Sequence, residues 1–347
     1  MNRTSNHFDF IRLSAACLVL LSHSYALKGF PETEDPIGQW THGYFPASFF
    51  GVQFFFLISG YLILTSYERS PSLTSYFWKR SLRIFPGLAV LLILMVGLYG
   101  PIFTDLSWTA YFSKTHELVL FLRNLSLYKL NGSLPGVFPH LPLPHELVGS
   151  LWTLAYEFSC YFLLALWGTL GLLRWRWITV VLYVGLTIAN CFPQYLGTYS
   201  IPVLHFPLIP TLQFSSFFIG GMLYKQWGDV LSFSTPRLAL ATMALLGCLA
   251  LGVPVAMYLA GYILVPYLLF GLAFLPGPLT KLGKWGDFSY GLYIYGFPVQ
   301  QACVYLSSNS LTFAELFFVS LFLSLPLAYV SWHWVESRFL AFKDWIQ

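Results

Sequence analysis

Residues 8–27 read FDFIRLSAACLVLLSHSYAL, an apolar run long enough to span a bilayer that still carries Asp9, Arg12 and His23. Arg12 and His23 are eleven residues apart. In an α-helix, at about 100° per residue, that spacing returns to within about 20° on the wheel, and a rise of about 1.5 Å per residue separates the two groups by roughly 16 Å. A cation near one end of the span and a titratable imidazole near the other therefore share one stripe. Ionisable groups in a span are costly and face a bundle interior or a wet cavity, so the stripe marks a functional site. The structural alternatives are an Arg12 that snorkels to the headgroups and an interfacial His23 bonded to a backbone carbonyl. The shared face counts against both.

The rest of the chain has the same character. Of 347 residues, 57% are hydrophobic, 19% aromatic and only 9% charged, whereas soluble domains carry about 25% charged residues. The predicted fold class is all-α, a polytopic integral membrane helix bundle of about ten transmembrane helices. These fall near 9–27, 47–67, 84–104, 148–172, 177–192, 206–224, 238–252, 255–274, 288–306 and 313–336. Pro254 and short loops leave the fifth, seventh and eighth open to merging or shifting. No repeat or low-complexity tract interrupts the chain, so residues 1–347 read as a single membrane domain with no appended soluble domain. The long N-terminal apolar run has no clear small-residue cleavage site and is not expected to be a cleavable signal peptide. The five cysteines lie in apolar stretches without metal-like spacing and read as buried free thiols.

Basic residues set the orientation. With the N-terminus in the cytoplasm, the inner side holds Arg3, Arg69, Lys79, Arg80, Arg83, Arg174, Arg176, Lys225, Arg237, Lys281, Lys284, Arg338 and Lys343. The outer side holds Lys28, Lys114, Arg123 and Lys129. This asymmetry obeys the positive-inside rule, and an even number of spans puts the C-terminus inside as well. Two outer loops are long. Residues 28–44 carry the acidic patch Glu32, Glu34 and Asp35; residues 105–149 contain a weakly amphipathic stretch, 108–130.

Three further groups can carry chemistry. In SYFWKRSLRIFP (residues 75–86), Arg80 and Arg83 stand one helical turn apart and can converge on one anion. Forked hydrogen bonds and charge suit phosphate; anchoring to anionic lipid satisfies the same spacing equally well. Glu157, within SLWTLAYEFSCY, lies about a third of the way down the fourth span, at a depth expected to match His23. A carboxylate there needs a partner, catalytic or structural. In FSYGLYIYGFP, Ser289, Tyr290, Tyr293 and Tyr295 recur through half a span, which fits a polar-lined cavity better than an aromatic belt. Glu336 and Arg338, at the end of the last span, read as a structural helix-end pair.

Taken in order, these elements resemble the acyltransferase 3 family of bacterial integral membrane acyltransferases, the family of O-antigen and exopolysaccharide O-acetylases. The first-helix signature is an acid, then Arg, then ten residues, then His, here Asp9, Arg12 and His23. FFFLISGYLI resembles its Ser-Gly-Tyr helix, with Ser59, Gly60 and Tyr61. WKRSLRIFP matches its basic Arg-Ile-x-Pro segment, and GSLWTLAYEFSCY its Trp-(Ser/Thr)-Leu-x-x-Glu element, with Trp152, Thr153 and Glu157. Two positions depart from the pattern. Gly296 stands near the place of a frequent ninth-helix His, and Ser337 follows Glu336 where Pro is usual. The periplasmic hydrolase domain of some longer relatives is not expected here.

The resemblance implies transfer of an acyl group, acetyl above all, from cytoplasmic acyl-CoA to a hydroxyl of a cell-envelope glycan or lipid-linked saccharide. It implies a catalytic set of His23, Glu157 and Asp9. His23 would act as general base or as a covalent acyl carrier. Arg12, Lys79, Arg80 and Arg83 would hold the CoA phosphates, and Trp152, Tyr61 and Tyr293 would contact substrate. Acyl-CoA (acetyl-CoA) enters as cosubstrate and no metal is required. The partners are acyl-CoA, the saccharide acceptor and membrane lipids, not nucleic acid. The location is the bacterial inner (cytoplasmic) membrane, with both termini cytoplasmic. A transporter or flippase for a glycan, lipid or small molecule is the rival. It would favour two similar halves, which the chain does not show. A membrane scaffold would not need the Arg12/His23 stripe.

Overall fold

A computed structural model describes residues 6–201, 205–275 and 286–346. Arg3, Lys281 and Lys284, used above for orientation, lie outside the described residues. The protein is mostly helical, at 74%. Among the described residues its long helices are α1 (Phe8–Ala26), α2 (Ala47–Arg69), α3 (Leu73–Leu94), α4 (Trp152–Thr169), α5 (Arg176–Cys191), α6 (Leu208–Gln226), α7 (Thr235–Leu251), α8 (Pro254–Phe274), α9 (Ser289–Leu306) and α10 (Phe313–Ser331). Among the described residues four helical stretches are long and apolar enough to cross a membrane, namely α2, Leu73–Phe103, α8 and Phe313–Leu340.

The largest departure from expectation is α3. The sequence predicts a helix from residue 84; it starts at Leu73, so the basic segment forms its first turns rather than a loop before it. Ser72 caps it by accepting the Ser75 amide at 3.1 Å. Pro86 stands inside the helix; a proline there removes one backbone bond but does not end a helix whose neighbours hold it. The helix continues through a wide π turn, Met95–Tyr99, into Gly100–Phe103. Helices α7 and α8 do not merge. Gly252 closes α7 in the left-handed conformation at φ 62°, and Pro254 opens α8.

By packing, the chain divides into two units. One comprises the described parts of Met1–Ala15, Pro36–Ser70 and Tyr156–Trp285. Within it, Gly60 of α2 lies against the Phe218 backbone of α6, and Gly221 of α6 against the Leu57 carbonyl. A Cβ at either position would collide with main chain, so the glycines permit the close helix approach that membrane bundles exploit. A small antiparallel pair, Ser200–Ile201 with Phe206–Pro207, precedes α6.

The second unit comprises the described parts of Ala16–Asp35, Pro71–Ala155 and Gly286–Gln347. Its centre is α9, with fourteen of its eighteen residues buried. Gly87 of α3 sits under the Tyr290 ring, Gly291 against Ala328 of α10, and Gly296 under Leu20 of α1. Gly296 is thus a packing contact in this chain. On α10, by contrast, Phe318 and Phe322 are 64% and 74% exposed, an apolar face that suits lipid rather than water. The stretch between α3 and α4 holds two short helices, Trp108–Ser113 and Thr115–Leu122, in place of one continuous amphipathic run.

Candidate active site

Helix α1 forms over the span predicted for it and carries both Arg12 and His23. Asp9 is exposed in its first turn, where a carboxylate complements the helix dipole. His23 is only 8% exposed. The Phe297 ring of α9 meets it edge-on, with ring centres 5.0 Å apart. Its Nε2 lies 3.8 Å from Oε1 of Glu32.

The segment that brings Glu32 to His23 is tied down at both ends. Asp35 is fully buried and accepts a short hydrogen bond from Ser22 of α1. Lys28 donates to Oδ1 of Asn309 at 2.9 Å and to the Leu311 carbonyl at 2.5 Å. Residues 28–35 are therefore a fixed wall, the kind of support that keeps a reactive group in place.

His23 and Glu32 line a cavity of about 390 Å³ together with Glu146, Trp152, Gly132, Gly149 and Phe297, with apolar side chains completing the wall. Burial pushes the Glu146 carboxyl above its ordinary range, with the Val148 amide pulling the other way. Gly132 lies directly beneath the Glu146 carboxyl, where a Cβ would stand inside contact distance of both oxygens. At Gly149 a Cβ would stand 2.6 Å from the Phe297 ring, the ring that packs on His23. Trp152 is 44% exposed and presents an indole to the cavity. Tyr293 does not line the cavity. It braces the turn that carries Trp152, with its hydroxyl 2.5 Å from Thr153 Oγ1 and 2.9 Å from the Ser150 carbonyl.

Four expected site residues, Asp9, Arg12, Tyr61 and Glu157, lie in the other unit. Glu157 accepts the hydroxyls of Ser59, at 3.0 Å, and Tyr161. Ser59 of the Ser-Gly-Tyr element thereby meets the glutamate of the Trp-Thr-Leu element. Tyr61 packs among aromatic rings, 5.5 Å from Phe8, 5.6 Å from Phe270 and 5.7 Å from Phe274.

The basic segment is divided in role. Lys79 faces Asp344 at 4.0 Å, and Arg80 shares its turn of α3. Arg83 is held by two carboxylates, Asp287 at 2.5 Å and Glu336 at 3.3 Å. The sequence paired Glu336 with Arg338. Instead Glu336 turns inward, 1% exposed, and takes Arg83 and the Ser331 hydroxyl, the latter at 2.9 Å. A carboxylate at that depth requires a fixed cation and a donor, and an exposed neighbour on its own turn supplies neither.

Sequence reasoning noted Glu32 only as part of an acidic loop patch and passed over Glu146. Glu146 stands six residues before Trp152 in HELVGSLW, the one signal that linked it to the motif.

A buried imidazole, two carboxyl groups and an indole thus meet around one cavity. The chain belongs to the acyltransferase 3 family, whose acyltransferase domain matches residues 6–333. It is an acyltransferase, and this decides against the transporter. The chain is 35% identical over 343 residues to the O-acetyl transferase of Shigella phage Sf6, covering 97% of this chain and 96% of that one. It is also 48% identical over 92 residues to nodulation protein 10 of Rhizobium leguminosarum bv. viciae, covering 26% and 24% of the two chains. No solved structure matches.

Proposed function

We propose that this protein is a membrane O-acetyltransferase that moves an acetyl group from cytoplasmic acetyl-CoA to a hydroxyl of a cell-envelope glycan or lipid-linked saccharide. The observation that carries the proposal is His23, buried on α1, with its Nε2 facing a cavity beside Glu32. The 35% identity to a full-length O-acetyl transferase supports the acyl group chosen.

In the proposed reaction His23 accepts the proton of the acceptor hydroxyl. The oxygen attacks the thioester carbonyl, the carbon–sulfur bond breaks, and the proton passes from His23 to the departing CoA thiolate. Products are the O-acetyl ester and free CoA. Lys79 and Arg80 hold the CoA phosphates. Arg83 stands one turn further along α3 with its charge shared between Asp287 and Glu336, and Arg12 extends the positive field along α1. Glu157 and Asp9 complete the catalytic set, Glu157 fixed by two hydroxyl donors. Trp152 contacts acceptor, Tyr293 braces the turn that carries Trp152, and Tyr61 is the tyrosine of the Ser-Gly-Tyr element, a further substrate contact in this reading.

The ten helices cross the inner membrane in this reading, with both termini cytoplasmic. The basic residues support that orientation, since most fall in the connections assigned to the inner side. The test is to supply membranes containing the protein with acetyl-labelled acetyl-CoA and follow the label. It should enter a saccharide fraction with the wild-type chain and not with His23→Ala at equal expression. Equal labelling in the two would remove His23 from the reaction.

A further inference from the structure

We infer that the acceptor is an uncharged sugar residue, selected by Glu32 and Glu146 against uronic acids and other anionic sugars. This rests on the acetyl-transfer reading and names its substrate class.

The cavity around His23 has the size of a small-molecule site, about 390 Å³. Its lining has a definite chemistry. Two carboxyl side chains, Glu32 and Glu146, point to the same space, and among the described residues that line it there is no lysine or arginine. The indole of Trp152 offers a flat apolar surface, and Phe297 and Leu143 continue it. A sugar matches such a wall on both counts. Its hydroxyls donate to carboxylates, and its C–H face lies on an aromatic ring.

An anionic sugar does not match. Its carboxylate would enter beside two acidic groups with no fixed cation to meet it, and like charges brought together repel. Selectivity of this kind comes from a built repulsion as much as from attraction. Lys28, four residues before Glu32, is spent on Asn309 and the Leu311 carbonyl, and Lys129, next to the lining residue Leu130, lies over the Tyr128 ring at 5.5 Å. The loop that carries Glu32 is held by the Ser22–Asp35 and Lys28–Asn309 bonds. Glu146 lies over Gly132, and its backbone carbonyl accepts a hydrogen bond from Gln301 Nε2 at 2.7 Å. The 3.8 Å between His23 Nε2 and Glu32 Oε1 admits one hydroxyl oxygen against both groups. The hydroxyl that loses its proton and its neighbour on the ring can then be read together.

The experiment uses native membranes holding the full-length protein, with acetyl-labelled acetyl-CoA and the glycan those membranes contain. Tandem mass spectrometry of the released saccharide identifies the ring that carries the acetyl group. The expected bearer is a neutral hexose, deoxyhexose or N-acetylhexosamine. In parallel, Glu32→Gln and Glu146→Gln should each raise the apparent KM for the glycan about tenfold, the cost of one charge-assisted hydrogen bond, and leave the KM for acetyl-CoA unchanged. Should Glu32→Gln fail to accumulate, Glu146→Gln and Glu32→Asp carry the same test. An acetylated uronic acid or phosphorylated sugar would overturn the inference while leaving acetyl transfer intact. An unchanged glycan KM in both variants would do the same. No labelled saccharide with the wild-type chain would instead overturn the transfer reading, and this inference with it.

Discussion

His23 presents Nε2 to Glu32 Oε1 across 3.8 Å, too far for a direct hydrogen bond and wide enough for a hydroxyl to rest against both. The imidazole is supplied by the last turn of a predicted span, and the carboxylate by an acidic loop patch nine residues on. If this imidazole moves the proton, His23→Gln should lower turnover about a hundredfold to ten-thousandfold, the usual worth of general-base catalysis. Detergent-solubilised yield and thermal midpoint should stay near wild type. Turnover within a few-fold of wild type would contradict the assignment.

Lys79 and Arg80 are expected to act on the donor alone. Replacing either by Gln should raise the acetyl-CoA KM about tenfold to a hundredfold, corresponding to roughly 1.5–3 kcal/mol for a lost charge-assisted bond. The glycan KM should not move. An unchanged acetyl-CoA KM would assign the pair to lipid anchoring.

Arg83 should behave differently from its neighbours. Its guanidinium is 16% exposed and holds Glu336, which is 1% exposed. Arg83→Met leaves a buried carboxylate without its cation, a change that costs about 3–5 kcal/mol. Pairing it with Glu336→Leu should restore much of the loss, because two apolar groups replace two charges. Thermal unfolding of the single and double variants in detergent measures both. A single variant as stable as wild type would show that the pair holds nothing.

Glu146 gives a pH dependence with a definite sign. Burial raises its carboxyl above the unfolded value. The stability linked to it is therefore fully present below the unfolded pKa and lost as pH rises through the folded pKa. Glu146→Gln should remove that decline, so the variant gains stability relative to wild type toward neutral pH. Thermal midpoints measured from acid to neutral pH test this, and parallel curves would contradict it.

How much of this was legible beforehand follows from the range of each interaction. The long helices were readable because apolar length and breakers are local signals, and their ends mostly fall within a few residues of expectation. The start of α3 was missed by eleven residues because Lys79, Arg80 and Arg83 end the apolar run there, whereas the helix itself begins before them at Leu73. His23 stood out through its own helix. Its neighbours Glu146 and Phe297 did not, since they come from a loop and a helix far along the chain. The Arg83–Glu336 contact joins residues 253 apart, and no spacing rule pairs such residues. Arg338 was the near neighbour and the wrong one.

The central claim is tested most directly by the mass of the cell-envelope glycan from matched cells that lack the protein, carry it, or carry His23→Ala. The account predicts one added acetyl group per acceptor unit with the wild-type chain and none in the other two. An identical glycan mass in all three, or the same added group with His23→Ala, would contradict it.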